Sequence, residues 1–166
     1  MAGARSSVRT ALVLATALAV LAVDQASKVL VRQLLISPGN SVPLPGGWVH
    51  LTYVENRGSA FGLFQNQTLF FIVVGVLVVG GILVGQRFIP AHSTALALCF
   101  GMQLGGAAGN LLDRVRFGHV FDFIDLGWWP VFNVADSAIV VGVAILAYHL
   151  LTTPSEPKTA DSSPSQ

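Results

Sequence analysis

Thr68-Leu69-Phe70-Phe71-Ile72-Val73-Val74-Gly75-Val76-Leu77-Val78-Val79-Gly80-Gly81-Ile82-Leu83-Val84-Gly85 carries no charge from end to end and stops at Gln86-Arg87. A hydrocarbon layer ~30 Å thick takes about 20 apolar residues in helical form, so this run predicts a membrane-spanning helix. Three further stretches have the same character. Thr94 to Leu112 is uncharged, with Thr94, Gln103 and Asn110 as its clearly polar residues. Val134 to Leu151 carries Asp136 in its first turn, and Thr10 to Val31 is interrupted by Asp24 and Lys28. Lipid cannot satisfy open backbone groups, so each stretch is expected to be helical. The expected fold is an all-α four-helix membrane bundle, with extracytoplasmic loops (possibly a small β element) forming a site at the membrane interface.

The bulk composition agrees. Of 166 residues, 53% are hydrophobic and 10% charged, against about 25% charged in an ordinary globular domain. A net charge of +1 without a basic stripe excludes a nucleic-acid partner. The lone cysteine, Cys99, excludes an intrachain disulfide or a cysteine metal site and suits apolar packing. Arg5 and Arg9 ahead of the first apolar run also fit a cleavable secretory signal. That run continues past Asp24 through Val29-Leu30-Val31, which favours a retained span. Residues 1–152 are read as one membrane-embedded domain. Residues 153–166, rich in Pro, Ser and Thr, are read as a disordered tail.

Consecutive spans alternate in direction. The end of the first, the start of the second, the end of the third and the start of the fourth therefore share one side. Asp24, Lys28, Asn56, Asn110, Asp113, Arg114, Asp122, Asn133 and Asp136 all fall toward that side. Arg5 and Arg9 favour a cytoplasmic N-terminus, which makes the polar side extracytoplasmic. Gly101, Gly105 and Gly109 recur every four residues, as do Gly81 and Gly85, a spacing that lets helices approach closely. A glycine-lined substrate path is the alternative reading.

Ionisable groups inside a membrane usually face protein or an aqueous cavity. Asp24 and Lys28 are four residues apart, and can pair as a structural couple or meet substrate. Asp113 and Arg114, at the end of the third span, fit an interfacial stop with Arg114 reaching toward head groups. Val120-Phe121-Asp122-Phe123-Ile124-Asp125 fits an interfacial segment with its aromatics in lipid, beside Trp128 and Trp129. Asn133 suits an N-cap, with Asp136 as a first-turn acid. Two acids brought together share one proton. The ionised member can then take a proton from water while the other donates to a carbonyl oxygen. No nucleophile elbow, metal-ligand spacing or phosphate loop is present, and His50, His92, His119 and His149 are scattered.

Five segments together resemble the lipoprotein signal peptidase (signal peptidase II) family of bacterial membrane aspartic peptidases. They are Asp24-Gln25-Ala26-Ser27-Lys28, Glu55-Asn56-Arg57-Gly58-Ser59-Ala60-Phe61, the run Gly105 to Arg114, Val120 to Ile124, and Phe132 to Ser137. The resemblance implies that Asp122 and Asp136 form a catalytic dyad. It implies prolipoprotein substrates whose lipobox cysteine carries diacylglycerol, with cleavage before that cysteine. It also implies no metal or other cofactor, both termini in the cytoplasm, and a site near the outer face of the inner membrane. Asn56, Asn110, Arg114 and Asn133 would hold the substrate backbone or the dyad. Asp24, Lys28 and Asp113 would support the site, with Gly58 and Ala60 in the loop beside it. A monomer in contact with membrane lipid is expected.

Ser59 and Gly62 stand where many family members carry alanine and serine, and the stretch from Asp125 to Val131 is shorter than in some. Residues 37–66 form a long loop, either a lid over bound peptide or a plain connection. A proton-coupled transporter and a noncatalytic scaffold are the rival functions. The first predicts acids spread through the membrane depth, and the second predicts tolerance of Asp122→Asn and Asp136→Asn.

Overall fold

The computed structural model describes residues 2–58, 67–88 and 93–152. Ser59, Ala60, Phe61, Gly62, His92, part of the 37–66 loop and the tail therefore lie outside the described residues. Four long helices, each apolar enough to cross a membrane, are joined by a small sheet: α1 (Ala2–Leu35), β1 (Ser41–Pro43), β2 (His50–Asn56), α2 (Thr68–Gly85), α3 (Thr94–Phe117), β3 (Val120–Asp125) and α4 (Val134–Thr152). A short 3-10 turn, Gln86–Phe88, follows α2.

Helix α3 is the axis of the bundle and packs against each of the other three. Glycine makes the approach possible, because apolar side chains gain little by meeting one another in lipid and close backbone contact must hold the helices together. A Cβ on Gly101 would lie 2.6 Å from Thr16 Cβ, and one on Gly105 would lie 2.5 Å from the Ala17 carbonyl oxygen. At Gly109 it would meet Asp24 Oδ2 at 2.6 Å. This stripe seats α1, while Gly106 faces α4, 2.5 Å from the Ala135 oxygen on the same construction. The expected role of Gly81 is not met: nothing lies within 4 Å of its would-be Cβ. Helix α2 buries no residue at all, and its apolar surface is left for lipid.

Two helices run past their expected ends. Helix α1 continues to Leu35, whose carbonyl is capped by Asn40 Nδ2 at 2.6 Å. Helix α3 continues to Phe117, so Asp113 and Arg114 lie inside it rather than beyond it. Gly118, at φ 78°, supplies the left-handed cap that a side chain would resist. The chain turns there directly into β3.

The sheet is antiparallel in the order β1-β2-β3. Val54 pairs with Asp122 and Asn56 with Val120. The segment Val120–Asp125 is therefore a strand, not an interfacial stretch with aromatics in lipid. Phe121 and Phe123 are buried among Val31, Leu35, Leu51 and Tyr53. The tryptophans Trp48, Trp128 and Trp129 are exposed instead. Side chains alternate across a strand, so packing Phe121 and Phe123 inward turns Asp122 to the opposite face. After β3 the chain folds back: Phe132 exchanges backbone bonds with Ile124 at 2.8 and 3.1 Å. That return delivers Asn133 and the start of α4 beside Asp122.

Candidate active site

Helix α4 begins with a reciprocal cap. The Asp136 N–H donates to Asn133 Oδ1 at 2.9 Å, and the Asn133 N–H donates back to Asp136 Oδ2 at 3.2 Å. Another open amide, Ala135 N–H, donates to Asp24 Oδ1 of α1 at 2.9 Å. The N-cap expected of Asn133 and the first-turn acid expected of Asp136 are thus both present. Capping does not use up the acid: Asp136 Oδ1 also accepts from Asn110 Nδ2 at 2.8 Å.

Asp122 is held in the same way by two amides. Asn133 Nδ2 donates to its Oδ1 at 2.6 Å and Asn56 Nδ2 to its Oδ2 at 2.9 Å. Burial pushes the Asp122 carboxyl up to about 7, and the nearby charge of Asp136 adds to the rise. The two asparagine bonds and the Lys28 charge oppose it. Both acids line one cavity of about 270 Å³, with Asn56, Asn110, Arg114 and the stretch Trp129 to Phe132. A second, almost wholly apolar cavity of about 390 Å³ adjoins it and shares Trp129, Phe132, Asp136 and Val140.

The asparagines are oriented from behind. Lys28 is buried and donates to Asn110 Oδ1 at 3.1 Å while pairing with Asp24 at 2.8 Å and Asp113 at 2.9 Å. An amide has one accepting end and one donating end. Fixing the Asn110 oxygen on Lys28 leaves its NH₂ for Asp136. Asn133 Nδ2 also donates to that oxygen, at 3.1 Å. Asn56 is set likewise, because its Oδ1 accepts from the Gly58 N–H at 3.1 Å, which leaves its NH₂ for Asp122.

Arg114 is not a charged stop reaching for head groups. Its Nη2 donates to the Gly58 carbonyl at 3.2 Å and its guanidinium lies 5.0 Å from the Phe71 ring of α2. Asp113 is buried, and besides Lys28 it accepts from the Phe121 N–H at 3.3 Å. Asp24 and Lys28 take the structural reading: neither lines the cavity. Of the expected residues, Asp122, Asp136, Asn56, Asn110, Asn133 and Arg114 converge directly, Gly58 stands one bond behind, and Asp24, Lys28 and Asp113 form a buried ionic base.

Sequence reading passed over two contributors. Gln25 Nε2 donates to Asp24 Oδ2 at 3.1 Å and to Asp113 Oδ1 at 3.0 Å, satisfying both acids of the ionic base. Its place next to Asp24 inside a recognised segment was the available signal. Asp125 carries the turn after β3, accepting from the Gly127 N–H at 2.8 Å and from Thr52 Oγ1 at 2.8 Å. Those bonds, the Gly127 one foremost, hold its carboxyl below the usual range. An Asp two residues before a Gly was the cue to that turn.

Comparison with known proteins agrees with this arrangement. Residues 16–152 match the family model described as Signal peptidase (SPase) II. The lipoprotein signal peptidase of Moorella thermoacetica is 53% identical over 135 residues, 81% of this chain and 89% of that protein. That of Pelotomaculum thermopropionicum is 46% identical over 132 residues, covering 80% and 86%. A solved bacterial membrane enzyme, determined by the in meso method, superposes with a TM-score of 0.79 at 25% identity, covering 88% of this chain and 94% of its own. A family match over most of the length, on four spans of this arrangement, makes the chain a member of the signal peptidase II family.

Proposed function

We propose that this chain removes signal peptides from prolipoproteins whose cysteine carries diacylglycerol, cutting just before that cysteine, with Asp122 and Asp136 activating the water. The observation that carries the reading is one cavity faced by two carboxylates, each held by two donors and acting on each other electrically.

Two carboxylates in such a place keep a single proton between them. The ionised member takes a proton from water as the water attacks the scissile carbonyl. The protonated member donates to the carbonyl oxygen, and the tetrahedral intermediate forms without a covalent enzyme adduct. Titration then belongs to the pair. Asn56, Asn110 and Asn133 keep the acids aimed throughout. The adjoining apolar cavity supports a lipid-bearing substrate, because an acyl chain can lie against Trp128, Val140 and Val141 while the peptide crosses the carboxylates.

On this reading the enzyme is a monomer in the inner membrane with both termini cytoplasmic, and the acids open toward the outer face. The test is cleavage of a diacylglyceryl prolipoprotein by purified enzyme. Asp122→Asn and Asp136→Asn should each lose activity on the order of 10⁴-fold. Normal turnover by either variant would exclude the pair.

A further inference from the structure

Arg32 lines neither cavity and donates to neither acid. Its guanidinium carbon lies 4.4 Å from the centroid of the Phe117 ring and 4.7 Å from that of Phe121. Phe117 is the last residue of α3 and Phe121 the second of β3. The cation thus sits between the two elements that flank the Gly118 turn. Arg32 Nε and Nη2 are buried and have no hydrogen-bond partner among the described residues. Idle buried donors are costly, and two ring faces are the compensation the site provides.

Phe121 is the point through which this contact reaches the acids. It is fully buried, meets Tyr53 edge-on at 4.6 Å and stacks on Phe123 at 5.7 Å. Its N–H donates to Asp113 at 3.3 Å and its carbonyl accepts from Asn133 Nδ2 at 3.4 Å. The next residue is Asp122.

We infer that Arg32 is a positioning residue: clamped between Phe117 and Phe121, it holds β3 at the register that aims Asp122 at Asn56, Asn133 and the cavity. The inference rests on the reading of Asp122 as catalytic. Loss of the clamp slows the chemical step without touching substrate, because small misplacements of a reacting group are expensive.

The experiment is steady-state cleavage of the lipidated substrate by the full-length purified enzyme, below the unfolding temperature of each variant. Arg32→Met should lower kcat roughly tenfold with KM within about twofold. Arg32→Lys should recover part of the loss, since an ammonium still attracts a ring face but cannot stack flat between two. Combined with Phe121→Leu, Arg32→Met should add no further loss beyond Phe121→Leu alone. Where Phe121→Leu does not fold, the half-exposed Phe117→Leu takes its place in the cycle and should be likewise non-additive. An Arg32→Met enzyme that melts earlier but keeps its kcat overturns the inference, as do fully additive losses or a rise confined to KM. If Asp122→Asn is inactive while the Arg32 variants turn over normally, only the Arg32 inference fails. If Asp122→Asn is active, the catalytic reading beneath it fails.

Discussion

Asn133 serves the site with its backbone N–H and both polar atoms of its side chain. Its backbone N–H and side-chain oxygen close the cap of α4 on Asp136, and its amide nitrogen reaches Asp122 and Asn110. Cap propensity made its local role legible in the sequence. Its bond to Asp122 was not legible, because only the return of the chain beside β3 brings the two together. Asp122 itself makes a pH-dependent contribution to stability. Its carboxyl sits at about 7 in the fold, against ~3.9 for an unfolded aspartate. Folded protein therefore binds that proton more tightly. The resulting stability is present in full below about pH 4 and is lost as pH rises to about 7. Thermal unfolding in detergent should show Tm falling across that window, with a shallower fall in Asp122→Asn. On the two-carboxylate reading, the pair gives up its shared proton above about pH 7, and cleavage by the wild type should decline there. Lys28 contributes through its ion pairs, since Lys28→Met leaves Asp24 and Asp113 buried without their cation. Removing one partner from such a group costs about 3–5 kcal/mol, readable as a lower unfolding temperature even where no substrate is present.

Among the elements, the four helices and the presence of a small β element were legible, while the strand at Val120–Asp125 was not. A long uncharged run admits one structure in lipid, and the glycine stripe of α3 announced a close face. Val120 to Asp125 is six residues long, and aromatic residues alternating with acids suit an interfacial segment as well as a strand. Pairing with β2, from a distant part of the chain, decides the matter. Asp113 and Arg114 misled for a related reason: charges normally end a span, and only burial against Lys28 and Gly58 lets α3 carry them. Glycine substitutions separate tight faces from open ones. Gly106→Ala drives a methyl into the Ala135 carbonyl and forces α3 away from the first turn of α4. Prolipoprotein cleavage should fall about a hundredfold as Asp136 moves off target. Gly81→Ala meets nothing and should leave both Tm and turnover within error.

For the molecule as a whole, one polar end and one apolar shaft were predictable from the alternation of spans alone. The buried ionic base, the asparagine relay and the carboxylates all gather at the end where α1 and α3 finish and α4 starts. The division of labour within that end was not predictable, because it depends on which side chains face inward between helices. Among the described residues, no three His, Cys, Asp or Glu side chains come together in a group able to hold a metal ion. Chelators should leave prolipoprotein cleavage unchanged, and a loss that only added metal restores would overturn the two-carboxylate reading.

One acid stands on the strand that follows the third span, and the other on the opening turn of the fourth. On the two-carboxylate reading, a nascent chain that has threaded only three helices into the bilayer has half a reaction centre, with Asp122 lacking both Asp136 and the Asn133 donor. On that reading, hydrolysis becomes possible only when the last helix docks against the axis.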